Sequence, residues 1–312
     1  MRDTRARTLN LALAFAAIAS PQTTPTFRAE VALVHADAEV VEDGRILAGF
    51  TKQDFRILDE GKPQPIVQFS AGEQALDLIL LFDISGSMHF VTSKVAAASR
   101  QALQELRPGD RVCVMAFNTK TREIAPFTDD LEAVRETIET AVMGLRFRGG
   151  TFIQTAVQDA ARRFLAEKRG ERRRAVLIIT DDKGVRTRSE HTVVRDFWEA
   201  DALLSGLVIG SKAANARQKI GLITAPYLIP LVAGMKGIAE KTGGDTISAS
   251  DPAAAFQDSM HRIRSRYSLY YAQPEGKPGS VRSVRVELAG DAARQHPKAR
   301  VRARTGYVVP KN

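Results

Sequence analysis

The chain has 312 residues, of which 44% are hydrophobic, 26% charged and 6% aromatic. That is about two domains' worth of folded protein, and with a mean hydropathy of -0.18 it excludes a multi-span membrane protein and a wholly disordered chain. Lysine and arginine number 45 against 36 acidic residues, a formal charge of +9, which raises nucleic acid as a partner to be tested along the chain.

Residues 1–19 place Arg2, Arg5 and Arg7 before the largely apolar run Leu9 to Ala19. This is the grammar of a secretory signal peptide, with Ala17-Ile18-Ala19 as the small-residue cleavage site. The run falls short of the roughly 20 residues a bilayer span needs, so an exported chain, periplasmic or extracellular, without a stable membrane span is expected. Residues 20–26 then read as a linker.

Residues 27–70 consist of short apolar runs broken by Asp43-Gly44 and Glu60-Gly61, with Pro63 and Pro65 excluding helix nearby, and predict a β-rich segment. From Leu76 the pattern changes to alternating strands and helices across residues 74–266. Strands are predicted at Leu76–Phe82, Arg111–Phe117, Ala175–Thr180, Leu203–Ile209 and Asp245–Ser248. Helices are predicted at Val95–Leu106, Leu131–Met143, Ile153–Leu165, Val193–Ala202, Leu228–Lys241 and Pro252–Arg266. The near-continuous apolarity of the strands is that of strands covered on both faces. The fold class is therefore α/β, a doubly wound, mostly parallel sheet with helices on both faces. Residues 267–312 return to strand grammar, and their pairing with 27–70 into one small β-rich domain is an expectation for the structure to test.

The densest basic run, from Lys168 to Arg174, lies between a helical pattern and an apolar strand, as a solvated connector does. With no finger spacing of Cys and His and no aromatic RNA-binding signature, no nucleic-acid partner is expected. Cys113 is the single cysteine; inside an apolar strand with no His or Asn motif, it reads as a small buried residue and not a nucleophile.

Three polar clusters fall where an open α/β sheet binds ligands, beyond the carboxyl ends of its strands. They are Asp83-Ile84-Ser85-Gly86-Ser87, Gly149-Gly150-Thr151 and Thr180-Asp181-Asp182. Taken singly, each is also what helix caps and turns look like. Taken in order, they resemble the metal-ion-dependent adhesion site of von Willebrand factor type A domains, over residues 76–265. Gly-Gly before the Thr and Pro108-Gly109-Asp110 before a strand fit the same resemblance. It implies that Asp83, Ser85, Ser87, Thr151 and Asp181 gather around one divalent ion, the hydroxyls donating neutral oxygens and the carboxylates acting directly or through water. Oxygen donors without His or Cys suit Mg²⁺ or Mn²⁺ and select against zinc. The resemblance further implies an unknown protein partner presenting an Asp or Glu to the ion, which is binding and not bond-breaking chemistry.

Asp182 stands where that family commonly has Gly; it could strengthen the metal site, compete with an acidic ligand, cap the next helix or face solvent. His89 could line the rim or be an ordinary loop residue. The flanking stretches Leu47–Phe69, Ile263–Leu288 and Val301–Pro310 resemble the VWFA-related family known chiefly from Acidobacteria. Two rivals stand beside this reading. A haloacid-dehalogenase-like phosphotransferase would use Asp83, Thr151, Lys168 and Asp181-Asp182 in that order, but needs a second carboxylate where Ser85 stands. A scaffold without metal dependence would carry its interactions on the β-rich segments. A serine hydrolase is weaker, since neither Ser85 nor Ser87 sits in a G-x-S-x-G setting and no histidine completes a triad.

Overall fold

The structure, a computed structural model, describes residues 32–168, 170–210 and 232–311. The expected signal peptide (residues 1–19), the expected linker (20–26), residues 27–31 of the expected β-rich segment, and the part of the expected helix Leu228–Lys241 that precedes Val232 lie outside the described residues.

The central sheet has six strands in the order β13-β11-β9-β6-β7-β8. These are β6 (Leu76–Asp83), β7 (Arg111–Phe117), β8 (Thr121–Thr128), β9 (Arg173–Thr180), β11 (Ala202–Ile209) and β13 (Thr246–Ala249). Every pairing is parallel except that of β8 with β7. All residues of β6 are buried, as a central strand with both faces covered requires. Its side chains alternate between two cores. Leu78, Leu80 and Phe82 pack with Val95, Val134 and Phe256, which belong to α1 (His89–Leu103), α2 (Leu131–Glu136) and α6 (Pro252–Arg264). Ile79 and Leu81 pack with Val157, Phe197 and Ile238, from α3 (Ile153–Leu165), α4 (Glu190–Ala200) and α5 (Lys236–Thr242). Each such buried aliphatic or aromatic side chain contributes about 1.5–3 kcal/mol relative to exposure.

Strands from both ends of the described chain form two small antiparallel sheets around a third core. One contains β1 (Leu33–Glu42), β2 (Arg45–Leu47), β5 (Ile66–Ala71), β14 (Tyr267–Ala272) and β16 (Arg300–Ala303); the other contains β3 (Phe55–Asp59), β4 (Lys62–Gln64), β15 (Val281–Leu288) and β17 (Gly306–Val308). β1 is two-sided. Val34, Ala36, Ala38 and Val40 face the shared apolar core with Ile57, Leu269 and Tyr271. The intervening His35, Asp37 and Glu39 face the amino-terminal end of the central sheet. There Arg173 donates to Asp37 at 2.8 Å, His35 lies 3.5 Å from Asp201, and Glu39 receives Arg302 at 3.1 Å. Each of these buried charges meets one of opposite sign, which offsets the cost of its burial.

Several elements depart from the sequence expectation. The first helix begins at His89 and not Val95, because buried Met88 closes a turn onto the Ser85 carbonyl at 3.0 Å and starts the helix immediately. The helix at Leu131 continues from Thr137 to Val142 with π spacing. Within the expected helix Leu228–Lys241, Val232–Ala233 instead form β12 and pair antiparallel with β10 (Gly184–Val185). The antiparallel edge strand β8 was not expected, since an edge strand lacks the apolar run of a central one and carries Pro126. The short helix α7 (Gly290–Gln295) also lay hidden behind Gly290.

Candidate metal centre

The centre is assembled at the carboxyl ends of β6 and β9. Parallel register sets Phe82 opposite Ile179, so the next residues, Asp83 and Thr180, end side by side. Thr180 Oγ1 donates to Asp83 Oδ2 at 2.7 Å, and the Ser85 N–H donates to Asp83 Oδ1 at 2.8 Å. That second bond is an Asx turn, which swings the chain off the strand. The Ile84 N–H reaches the Phe117 carbonyl at 2.8 Å, leaning the turn on β7.

The turn leaves Ser85 and Ser87 with their hydroxyl oxygens 3.4 Å apart. Ser87 Oγ donates in turn to Asp181 Oδ2 at 2.9 Å across the gap between loops. Four of the five sequence-identified residues are thus joined: Asp83, Ser85, Ser87 and Asp181. Thr151 is buried and tied to the same neighbourhood by its backbone, its carbonyl accepting from the Val185 N–H at 3.2 Å. Its loop is anchored by Arg148 N–H on the Ile84 carbonyl at 3.0 Å and by Asn118 Nδ2 on the Arg148 carbonyl at 3.1 Å. No hydrogen bond among the described residues joins the Thr151 hydroxyl to the other four.

Asp83 is fully buried, and that burial pushes its carboxyl up to about 6; the Ser85 and Thr180 donors resist the rise, and the charge of Asp181 adds to it. Asp182 is likewise pushed up to about 6 by burial and by Asp181. Its backbone is left-handed, with φ +56°, and its Oδ1 accepts the Met235 N–H at 3.2 Å, just ahead of α5. Asp182 therefore neither caps the next helix, which Ser189 caps, nor points freely to solvent.

The donor chemistry suits a hard divalent cation. Octahedral Mg²⁺ with bonds of about 2.0–2.1 Å sets neighbouring ligand oxygens about 3 Å apart, and the Ser85, Ser87 and Asp181 oxygens run at 3.4 and 2.9 Å. Among the described residues no group of three or more His, Cys, Asp or Glu side chains is arranged to hold a metal ion by itself, so a centre here depends on the hydroxyl donors. Asp83, with both oxygens already accepting, fixes the turn.

Sequence reasoning missed three contributors. Thr180 clamps Asp83, Asn118 ties the Arg148 loop, and Lys183 sets its ammonium 3.5 Å from Asp181 Oδ2. Only strand register reveals the first; the others lacked any signal of their own. Lys168, which the phosphotransferase rival requires, instead lines a cleft with Asp77, Arg111 and Arg174 at the amino end of the sheet. His89 packs edge-on against Phe147 with centroids 4.9 Å apart. Cys113 is buried and free, its thiol pushed up to about 12 by burial and by Glu123.

Curated proteins offer no match to the chain. Among solved structures it is similar to an aerotolerance-related membrane protein from Bacteroides fragilis NCTC 9343, at 16% identity over 61% of this chain and 98% of that one, with a TM-score of 0.46. It is similar also to a von Willebrand factor type A protein from Catenulispora acidiphila, at 13% identity over 92% of this chain and 76% of that one, with a TM-score of 0.46. A third is the vWF domain of the type V pili tip protein Mfa5 from Porphyromonas gingivalis, at 14% identity over 37% and 42%, with a TM-score of 0.31. Residues 78–184 match the von Willebrand factor type A domain family, a span that takes in Asp83, Ser85, Ser87, Thr151 and Asp181 together.

Proposed function

We propose that this chain is an exported protein-binding module. In this reading Ser85, Ser87 and Thr151, with Asp83 and Asp181, hold one Mg²⁺ or Mn²⁺, and a partner protein contributes an Asp or Glu to complete the coordination. The observation that carries it is the oxygen chain from Ser85 through Ser87 to Asp181, which brings two loops distant in sequence to one point beyond the strands. When bound, the ion supplies a positive centre that few protein anions neutralise, and so draws in a carboxylate. Ser85 and Ser87 orient neutral donors, Asp83 holds their turn rigid, and Asp181 bridges to the neighbouring loop. Ser85 stands where the phosphotransferase reading needs a second carboxylate, two residues after Asp83.

Calorimetric titration of the protein with Mg²⁺ and Mn²⁺ tests the proposal. Saturable binding is expected, and Ser85→Ala or Asp181→Ala should abolish it while leaving the thermal unfolding profile intact. Absence of saturable binding by the unaltered protein would overturn the metal reading.

A further inference from the structure

Among the described residues, two of the most exposed large apolar side chains follow the candidate centre's loops closely in sequence. Phe90 is 69% exposed and Val185 50%. Phe90, in the first turn of α1, follows Ser87 by three residues, and Val185, in β10, follows Asp181 by four, so they lie on the elements entered from the two loops that the Ser87–Asp181 bond joins. Apolar side chains left exposed and rimmed by polar groups are available to an incoming partner.

The same rim is cationic. Lys94 sets its ammonium 4.7 Å from the centre of the Phe90 ring, Arg146 and Arg148 lie on the loop before Thr151, and Arg186 follows Val185; all four are exposed. None of them forms an ion pair with a carboxylate among the described residues. At the opposite end of the sheet, by contrast, Arg173 pairs with Asp37 and Arg264 with Asp110. The acidic groups of the centre, Asp83, Asp181 and Asp182, are at least half-buried.

We propose that this rim selects a short acidic protein segment that carries an apolar side chain next to its carboxylates. The apolar side chain would lie against Phe90 and Val185, and carboxylates beyond the one at the centre would face Lys94, Arg146, Arg148 and Arg186. The inference rests on the reading of the centre as a carboxylate-binding site and adds what the partner must present around that carboxylate. A peptide suits the pattern better than a nucleic acid, because a phosphate backbone imposes evenly spaced charges and would lay them over Asp181 and Asp182 as well.

Fluorescence anisotropy with the full chain and two labelled peptides tests it. Both contain the same number of Asp and Glu; one has a Leu among them, the other a Ser in its place. In Mg²⁺ the Leu peptide is expected to bind about tenfold more tightly, the value of burying one such side chain. Phe90→Ser should erase that ratio and Phe90→Leu should keep most of it. Arg146→Glu combined with Arg148→Glu should weaken both peptides and flatten their salt dependence. Equal binding of the two peptides, or no binding of either, would overturn the rim proposal. Metal uptake measured calorimetrically in the same sample would then report separately on the centre. Tighter binding of a single-stranded oligonucleotide of equal charge would also overturn it.

Discussion

At the scale of single residues, the centre divides into what local sequence specifies and what only neighbouring strands can supply. The turn through Asp83, Ser85 and Ser87 is legible because an Asp followed by Ser can close on its own backbone, and the structure closes it so. The clamp from Thr180 was not legible, since it depends on β6 and β9 pairing in one register. Thr151 was legible as a candidate for the set; its carbonyl accepts the Val185 N–H, and no hydrogen bond among the described residues joins its hydroxyl to the other four. Lys183 has a definite consequence. Its ammonium lies 3.5 Å from the Asp181 oxygen that Ser87 also approaches, so it opposes any second cation there. Lys183→Met is therefore expected to tighten Mg²⁺ binding by about three- to tenfold, the scale of a partly exposed charge interaction of roughly 1 kcal/mol. A titration in which affinity falls or stays constant would show that the ammonium turns away when metal arrives.

At the scale of elements, the buried strands were the most legible. β7 and α3 coincide with the sequence expectation, and β6 and β9 extend it by one or two residues. Continuous apolarity in a strand, or apolar residues at helical spacing in α3, leaves few alternatives. Edge and capping elements such as β8 and α7 were not legible, because solvent and local turns shape them more than a core does. Buried polar anchors were equally silent. Asp59, at the end of β3, is fully buried and accepts from Tyr271 at 2.9 Å, Tyr307 at 3.0 Å and Arg282 Nε at 2.8 Å. It stitches β3 to β14, β15 and β17. Asp59→Ala strands two hydroxyls and a guanidinium, and should cost about 3–5 kcal/mol, with Asp59→Asn costing less. Urea unfolding measures this; a loss below about 1 kcal/mol would mean that water replaces the carboxylate.

At the scale of the whole molecule, the two ends of the central sheet are used differently. The carboxyl ends of its strands carry the candidate centre and its cationic rim; the amino ends receive β1 through buried ion pairs. His35 lies in that contact between Asp37 and Asp201. Burial alone would lower its pKa, but the two carboxylates, Asp201 foremost, prevail and raise it to about 9. A histidine raised in the folded state stabilises fully below its unfolded value near 6.5 and loses that stabilisation as pH rises through about 9. Stability should therefore fall by on the order of 2–3 kcal/mol between pH 6.5 and 9.5. His35→Gln should flatten the profile over that window; an unchanged slope in the variant would assign the loss to other groups.

The direct pairing of β1 with β16, from Ala38 opposite Ala303 to Val41 opposite Arg300, has a mechanical corollary. Everything from β2 to β15 lies, along the backbone, inside the loop that this ladder closes. A pull applied at Ala32 and Lys311 enters the ladders of β1 with β14 and β16, and of β17 with β15, before it reaches the central sheet. Until those ladders part, a tether strained at both ends would leave the spacing of Ser87 and Asp181 undisturbed.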